Sequence, residues 1–273
     1  MKSLFATIKA ITKNRTLIWR LSKNDFKGRF AGSMLGRVWG FIMPVVMVLV
    51  YWFAFEKGLR VNAAHTAAGL EVPFIIFLVS GLVPWFYFQD ALSGGAAALT
   101  DYSYLVKKVV FEIRVLPMVK VVSALFTHFF FVILAIILYM CYGFFPDLYT
   151  LQIVYYSFAL IILCIGLAYL NSAINVFIKD WAQIIGIVLQ VGIWVTPIMW
   201  DVKTLEIPQW ASVLIKLNPL YYIVKGYRDS FMEKVWFFES PLLTLYFWIF
   251  SLFVLWLGMT VFNRLRDHFA DVL

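Results

Sequence analysis

Residues Phe74 to Leu92 read FIIFLVSGLVPWFYFQDAL. This apolar run is about long enough to cross a bilayer as a helix, which takes roughly 20 predominantly apolar residues. Pro84 and Trp85 sit in mid-run, and aromatics crowd its far end. A proline lacks the N–H that would close a backbone hydrogen bond, and hydrocarbon holds no water to replace it. Neighbouring protein or a wet cavity must then satisfy the freed carbonyl. The stretch therefore predicts a membrane protein whose helices surround a path rather than merely anchor a domain.

Composition points the same way. Hydrophobic residues make up 63% of the 273, against about 45–50% in soluble domains. One soluble core cannot hide that much apolar surface, so lipid must be the solvent. The length allows six spans with short loops and leaves no room for a separate catalytic domain of ordinary size. Cys141 and Cys164 both fall inside apolar runs, where a free cysteine acts as a small hydrophobe. Nothing supports a disulfide or a metal site. The first 16 residues carry Lys2, Lys9, Lys13 and Arg15 without a long apolar core. No cleavable signal peptide is expected from them.

Apolar windows fall at 38–55, 73–92, 117–142, 152–178, 182–200 and 241–262. They predict an all-α integral membrane protein with six transmembrane helices, read as one transmembrane domain over 1–273. With the N-terminus inside, the segments 1–37, 101–120, 179–181 and 263–273 hold 16 of the 23 Lys and Arg. Five of the others lie in 201–240, where five acids balance them. Lys and Arg accumulate in cytoplasmic loops, so both termini are expected in the cytoplasm. The net charge of +8 is then a topology signal rather than a nucleic-acid surface.

Three segments outside the spans carry patterns of their own. In 1–34, Leu4, Ile8, Ile11, Ile18 and Leu21 recur near helical spacing beside Lys9, Lys13, Arg20, Lys23 and Lys27. Such a helix suits the cytoplasmic headgroup plane, as a plain anchor or as a gating or docking element. Arg15 and Asp25 interrupt its apolar side. The segment 96–120, AAALTDYSYLVKKVVFEIRVLPMVK, is a partly apolar cytoplasmic loop. It reads either as a positive-inside stop signal or as a docking helix for a soluble partner. The outer segment 201–240 is too long for a plain connector. Within it, 208–217 is amphipathic and too short to span, Asn218-Pro219 breaks it, and a second apolar stretch follows. The pair either dips into the membrane and returns or lies on its outer surface.

Catalytic chemistry is hard to find. Ionisable groups inside spans are functional candidates by default, but Asp90 and His128 are nearly alone. His128 has no acid nearby in sequence and reads as a packed, hydrogen-bonded histidine before a proton relay. No metal-ligand spacing, no phosphate-binding G-x-x-x-x-G-K-[ST] loop and no G-x-S-x-G nucleophile motif is present. No catalytic residue and no cofactor is therefore assigned to this chain. Aromatics are plentiful: 11 Trp, 14 Tyr and 27 Phe. Trp85, Phe86, Tyr87 and Phe88 are consecutive, and Tyr51, Trp52, Trp194, Trp200, Tyr221 and Tyr222 lie near outer span ends or in the outer loop. Flat aromatic faces stack on sugar rings and tolerate sliding. These ten residues are read as lining a path for a glycan or a lipid-linked glycan, beside the plainer reading of interface belts and packing.

Four segments together resemble a known family: FKGRFAGSMLGRVWGFIMPVVMVLVYWFAF (26–55), GLVPWFYFQDAL (81–92), INVFIKDWAQIIGIVLQVGIWVTPIMW (174–200) and LNPLYYIVKGYRDSF (217–231). They are similar to the transmembrane subunits of type-2 ABC exporters for polysaccharides, and among these most to wall teichoic acid export permeases. O-antigen and capsule export permeases are near relatives. The resemblance implies six spans, a homodimer and two copies of a separate ABC ATPase that binds ATP and Mg. It implies an amphipathic interfacial helix over about 4–29, a coupling loop at 101–116 and re-entrant outer helices at 207–224. The coupling residues would be Tyr104, Leu105, Lys107, Lys108, Phe111, Glu112 and Arg114. The family often places a proline just before the charged pair of this loop, and here the stretch reads Val-Phe111-Glu112-Ile-Arg114.

The function implied is export of an undecaprenyl-diphosphate-linked teichoic acid or similar polymer across the cytoplasmic membrane of a bacterium. Arg15, Arg20, Lys23, Lys27, Arg29 and Arg37 would form a basic cytoplasmic entrance for the lipid diphosphate. Export of an O-antigen, a capsular polysaccharide or a small hydrophobic compound are alternatives. A membrane-embedded enzyme on lipid-linked glycans would need convergent acids, for which Asp201, Glu206 and Asp229 are loose candidates. A secondary transporter would show inverted repeats and intramembrane charges, and neither is evident.

Overall fold

A computed structural model of the chain describes residues 2–29, 31–60, 64–65, 71–108, 111–202 and 208–273. Two short helices, α1 (Lys2–Lys13) and α2 (Arg15–Gly28), begin the chain and break at Asn14. The Asn14 side-chain amide donates to the Ala10 carbonyl at 2.9 Å, a local bond that competes with continued helix. Ile18, Ser22, Asp25 and Phe26 form the buried face of α2, spaced as one helical stripe. Gly32 and Gly36, at φ +86° and +52°, then turn the chain into α3 (Trp39–Trp52), which continues through a wider helical turn to Gly58. A two-residue antiparallel pair follows, β1 (Ala64–His65) on β2 (Glu71–Val72).

The helix α4 (Phe74–Asp101) contains the whole FIIFLVSGLVPWFYFQDAL run. It passes unbroken through Pro84, and 20 of its 28 residues are buried. A helix apolar on every side is one surrounded by others. Here the surrounding elements are α6 (Val115–Cys141), α7 (Gln152–Phe177), α8 (Trp181–Val195) and α10 (Pro219–Arg228). The short α5 (Ser103–Val106) links α4 to α6, and α9 (Gln209–Leu217) precedes α10. After α10 come α11 (Pro241–Leu265) and a last turn, α12 (Phe269–Val272).

Small residues set the closest crossing. A Cβ on Gly258 of α11 would lie 2.2 Å from the Gly166 carbonyl oxygen of α7, so only glycine lets the two backbones meet. Such close approach drives helix association where lipid removes the hydrophobic incentive. Gly226 of α10 is likewise covered by the Tyr156 ring, 2.1 Å from where its Cβ would stand.

Two expectations are changed by these elements. Among the described residues five helices are long and apolar enough to cross a membrane: Trp39–Gly58, Phe74–Asp101, Val115–Cys141, Leu148–Phe177 and Pro241–Val272. The sixth window, 182–200, yields only the 15-residue α8. Thr196 is extended, at ψ 130°, because the residue before a proline is pushed out of the helical region, and Pro197 follows. The expected loop at 101–120 is also shorter. Ala- and Leu-rich sequence carries α4 to Asp101, and α6 starts at Val115 rather than 117, leaving 102–114 as the connection.

The ends of the chain meet. Asn263 of α11 donates to the Thr7 hydroxyl of α1 at 2.8 Å and accepts from Arg114 at 2.9 Å. Both chain ends and the 102–114 connection thus share one end of the bundle.

Candidate functional site

At that shared end, a charge cluster fastens α2 to the bundle. Lys120 Nζ bonds Asp25 Oδ1 at 2.6 Å and Asp101 Oδ2 at 2.8 Å. Tyr102 donates to Asp25 Oδ1 at 3.0 Å, and Arg29 bonds Asp25 at 3.2 Å and also Asp90. Burial alone would raise the Asp25 pKa, but Lys120, Ser123 and Arg29 outweigh it and hold it below the usual carboxylate range. Burial opposes the Arg29 charge too, and Asp90 with Asp25 more than restores it. Asp25, which interrupts the apolar stripe of the N-terminal segment, is therefore the centre of an ion network. The partners Lys120, Asp101 and Tyr102 escaped the sequence reading. A lysine three residues inside an apolar window was the available signal.

This cluster separates the expected basic entrance into two groups. Arg15, Arg20, Lys23 and Lys27 are exposed on α2. Arg29 is held by its two carboxylates. The Arg37 side chain lies outside the described part of the structure, as do the side chains of Leu4 and Ile8. Trp19 is 51% exposed and carries Lys23 Nζ at 5.9 Å from its ring, a pairing that suits a headgroup surface.

The connection beside the cluster also divides. Tyr104, Lys107 and Lys108 are exposed, Leu105, Phe111 and Glu112 are half-buried, and residues 109–110 lie outside the described residues. Arg114 pairs with Glu112 at 3.2 Å and with Asn263, while its carbonyl accepts from Tyr169. Arg114 is thus built into the bundle, whereas Tyr104, Lys107 and Lys108 face outward.

The ten aromatics do not form one surface in the protomer. Trp85, Tyr87, Phe88 and Tyr222 are buried, and Phe86 packs edge-on against Phe131 at 5.9 Å. The Trp85 ring rests on Gly192 of α8, where a Cβ would come within 3.0 Å of it. Tyr222 stacks on Phe247 and shares hydrogen bonds with Tyr155 and Thr244. Tyr51, Trp52, Trp200 and Tyr221 are half-buried, and Trp194 is 54% exposed. The outward-facing members sit on α3 and α8. No residue of α3 is buried, and α8 buries only Ile185, Leu189 and Ile193.

The α9–α10 pair contacts the interior. Asn218 caps α10 through the Leu220 N–H and donates to Thr196. Tyr227 reaches Ser157 at 2.6 Å and His128 at 3.2 Å, and His128 contacts Ser157 at 3.2 Å. His128 is the middle residue of the 27-residue α6. It is a hydrogen-bonded core histidine, with no acid bonded to it among the described residues. Of the loose enzyme candidates, Asp229 is buried and paired with Lys225 at 2.5 Å. Asp201 is half-buried, and Glu206 lies outside the described residues. Among the described residues no group of three His, Cys, Asp or Glu is placed to hold a metal.

Comparison with known proteins gives concordant matches. The family model described as ABC-2 type transporter matches residues 16–232. The O-antigen export system permease protein RfbA of Myxococcus xanthus is 30% identical over 267 residues, covering 97% of this chain and 98% of its own. The O-antigen export system permease protein RfbA of Klebsiella pneumoniae is 28% identical, over 93% of each chain. The polysialic acid transport protein KpsM of Escherichia coli is 22% identical, over 89% of this chain and 91% of its own.

Proposed function

The chain belongs to the ABC-2 type transporter family, and we propose that it is the membrane subunit of an ATP-driven exporter of a lipid-linked cell-surface polysaccharide. The alignment with an O-antigen export permease over 97% of the chain carries this reading. The cargoes named for the O-antigen export permeases and for KpsM are O-antigen and polysialic acid. That favours a glycan of this kind over the teichoic acid whose permeases the sequence resembles. The setting is the cytoplasmic membrane of a bacterium.

In this reading the chain crosses the membrane six times. The five long helices supply five crossings, and α8 with the extended 196–200 stretch supplies the sixth. Support comes from contact heights along α7 and α4. Trp181 bonds Asn171 near the inner end of α7, whereas Ile198 lies against Gly81 in the outer half of α4. The shared end holding both chain ends faces the cytoplasm, and α9–α10 is a re-entrant pair entering from outside. Irregular backbone at such depth must be buried in protein, as Leu220, Tyr222 and Tyr227 are.

A separate ABC ATPase, in two copies, binds ATP with Mg and supplies the free energy of its hydrolysis. It docks on Tyr104, Lys107 and Lys108. The exposed cations of α2 attract the anionic headgroup of the polymer's lipid carrier. A second copy of the chain covers the open faces of α3 and α8, and the polymer slides along that seam past Tyr51, Trp52 and Trp194. Deleting the chain in its host should strip polysaccharide from the cell surface and leave it lipid-linked inside. Unchanged surface polymer would overturn the reading.

A further inference from the structure

We infer that the cavity beside α10 is a binding site for a single sugar unit. Its volume is about 230 Å³. It lies between α9, α10, the start of α4 and the Pro197–Val202 stretch. The assignment of the sugar to the exported polymer rests on the function proposed above.

Arg228 is the observation that points to a ligand. It lines the cavity and is only 9% exposed. Its guanidinium lies 3.6 Å from the Phe77 ring centroid, and one terminal nitrogen donates to the Ile198 carbonyl at 2.8 Å. Among the described residues no carboxylate stands within ion-pair distance of it, and its buried Nε–H has no acceptor. A buried unsatisfied donor of this kind requires a physical reason, because leaving it unmade carries the full desolvation cost. Across the cavity Lys216, on the exposed helix α9, also has no ion-pair partner among the described residues.

The rest of the lining selects the chemistry. Among the described lining residues, Asp201, Asp229 and Glu233 bring as many negative charges as Lys216, Lys225 and Arg228 bring positive ones. A bare anion would meet three carboxylates, and a bare cation three cationic side chains. A hydroxyl donates and accepts at once, so a polyhydroxylated ring can engage both sets. The phenol of Tyr221 with Val224 and Met232 offers apolar surface for the C–H face of such a ring. One unit of the polymer would rest here on its way out, with its oxygens drawn to the Arg228 guanidinium that lines the cavity.

The test is saturation-transfer NMR on the purified full chain in lipid nanodiscs. The probes are glucose, galactose, mannose, rhamnose and N-acetylglucosamine, with inorganic phosphate beside them. At least one sugar should give a signal that weakens about tenfold in Arg228→Gln, the loss expected for a hydrogen bond to a charged group. Lys216→Gln, on the exposed helix, should weaken the same signal and covers the case in which Arg228→Gln misfolds. Lys57→Gln should leave it unchanged. No sugar signal, a signal for phosphate alone, or a sugar signal indifferent to both cavity variants would each overturn the site. Such a result in a chain that still exports polymer removes only the cavity. Loss of the permease function would instead appear in the deletion strain, whatever the sugars do.

Discussion

Lys120 and Asp25, 95 positions apart in the sequence, meet at 2.6 Å with side chains only 7% and 5% exposed. The pair joins the N-terminal helix to the core, and Asp101 and Tyr102 bring the connection toward α6 into the same cluster. Breaking a buried pair from one side costs about 3–5 kcal/mol where the other charge is stranded. Here Arg29 and Tyr102 still bond Asp25, which leaves about 1.5–3 kcal/mol, the value of a hydrogen bond to a charged group. Lys120→Met should therefore lower stability by about that much, read from thermal unfolding in detergent. Lys120→Met with Asp25→Asn should recover a large part of the loss, because neither charge is then stranded. Equal losses in the single and double variants would show that the pair acts through packing alone.

The same pair sets a pH window. Asp25 is held below its ordinary value of 3.8 in the folded chain. A depressed carboxylate stabilises fully above the unfolded value and loses that contribution as pH falls through the folded one. Stability should be flat for this pair between about pH 5 and 8 and should decline only below about pH 4. The measurement is the difference in unfolding temperature between wild type and Asp25→Asn. That difference should shrink only in the acid range, and a difference already shrinking near pH 6 would contradict the assignment.

Apolar length made five of the long helices legible in advance, and Asn218-Pro219 marked the α9–α10 break correctly. The environment of each helix face was not legible. Lipid and protein interior are both apolar, so hydropathy cannot separate the enclosed α4 from the uncovered α3. That is why Trp85 and Tyr87 were expected along a path and are found packed inside the protomer. Window averaging also passed over Pro197, whose local sterics end α8 at Val195. Asp25 stood out as an interruption of the stripe. Its partner Lys120 could not be named, because only the folded chain brings α2 beside α6.

Gly258 offers a test of the α7–α11 crossing. Its missing side chain admits the Gly166 carbonyl, and a Cβ there would also lie 3.1 Å from the Leu170 nitrogen. Both neighbours are backbone and cannot rotate away. Gly258→Ala should cost about 1–3 kcal/mol, the range for overpacking a tight contact. Thermal unfolding and expression level check it, and a neutral result would mean that the helices cross farther apart.

The connection between α4 and α6 should respond differently at its two kinds of residue. Reversing Lys107 and Lys108 to Glu changes exposed charges that have no side-chain bond among the described residues. It should reduce co-purification of the ATPase and leave the unfolding temperature nearly unchanged, since surface substitutions stay within about ±0.5 kcal/mol. Arg114→Ala removes the bond to Asn263 and the pair with Glu112. It should lower the unfolding temperature first. If the lysine reversal leaves ATPase recovery intact, the docking face lies elsewhere.

His128 Nε2, Ser157 and Tyr227 stand within hydrogen-bond distance of one another, at 2.6, 3.2 and 3.2 Å. Each member can lose one partner and keep the other. Tyr227→Phe leaves His128 bonded to Ser157, and His128→Leu leaves Ser157 bonded to Tyr227. Either change should therefore cost about 1 kcal/mol, the net value of an ordinary hydrogen bond. A proton route would need a further titratable partner, and among the described residues no acid is bonded to the triangle. Polymer export in the His128→Leu strain should thus keep the pH profile of wild type. A profile that lost its acid limb in this variant would make His128 a proton carrier and would change the account of what drives transport.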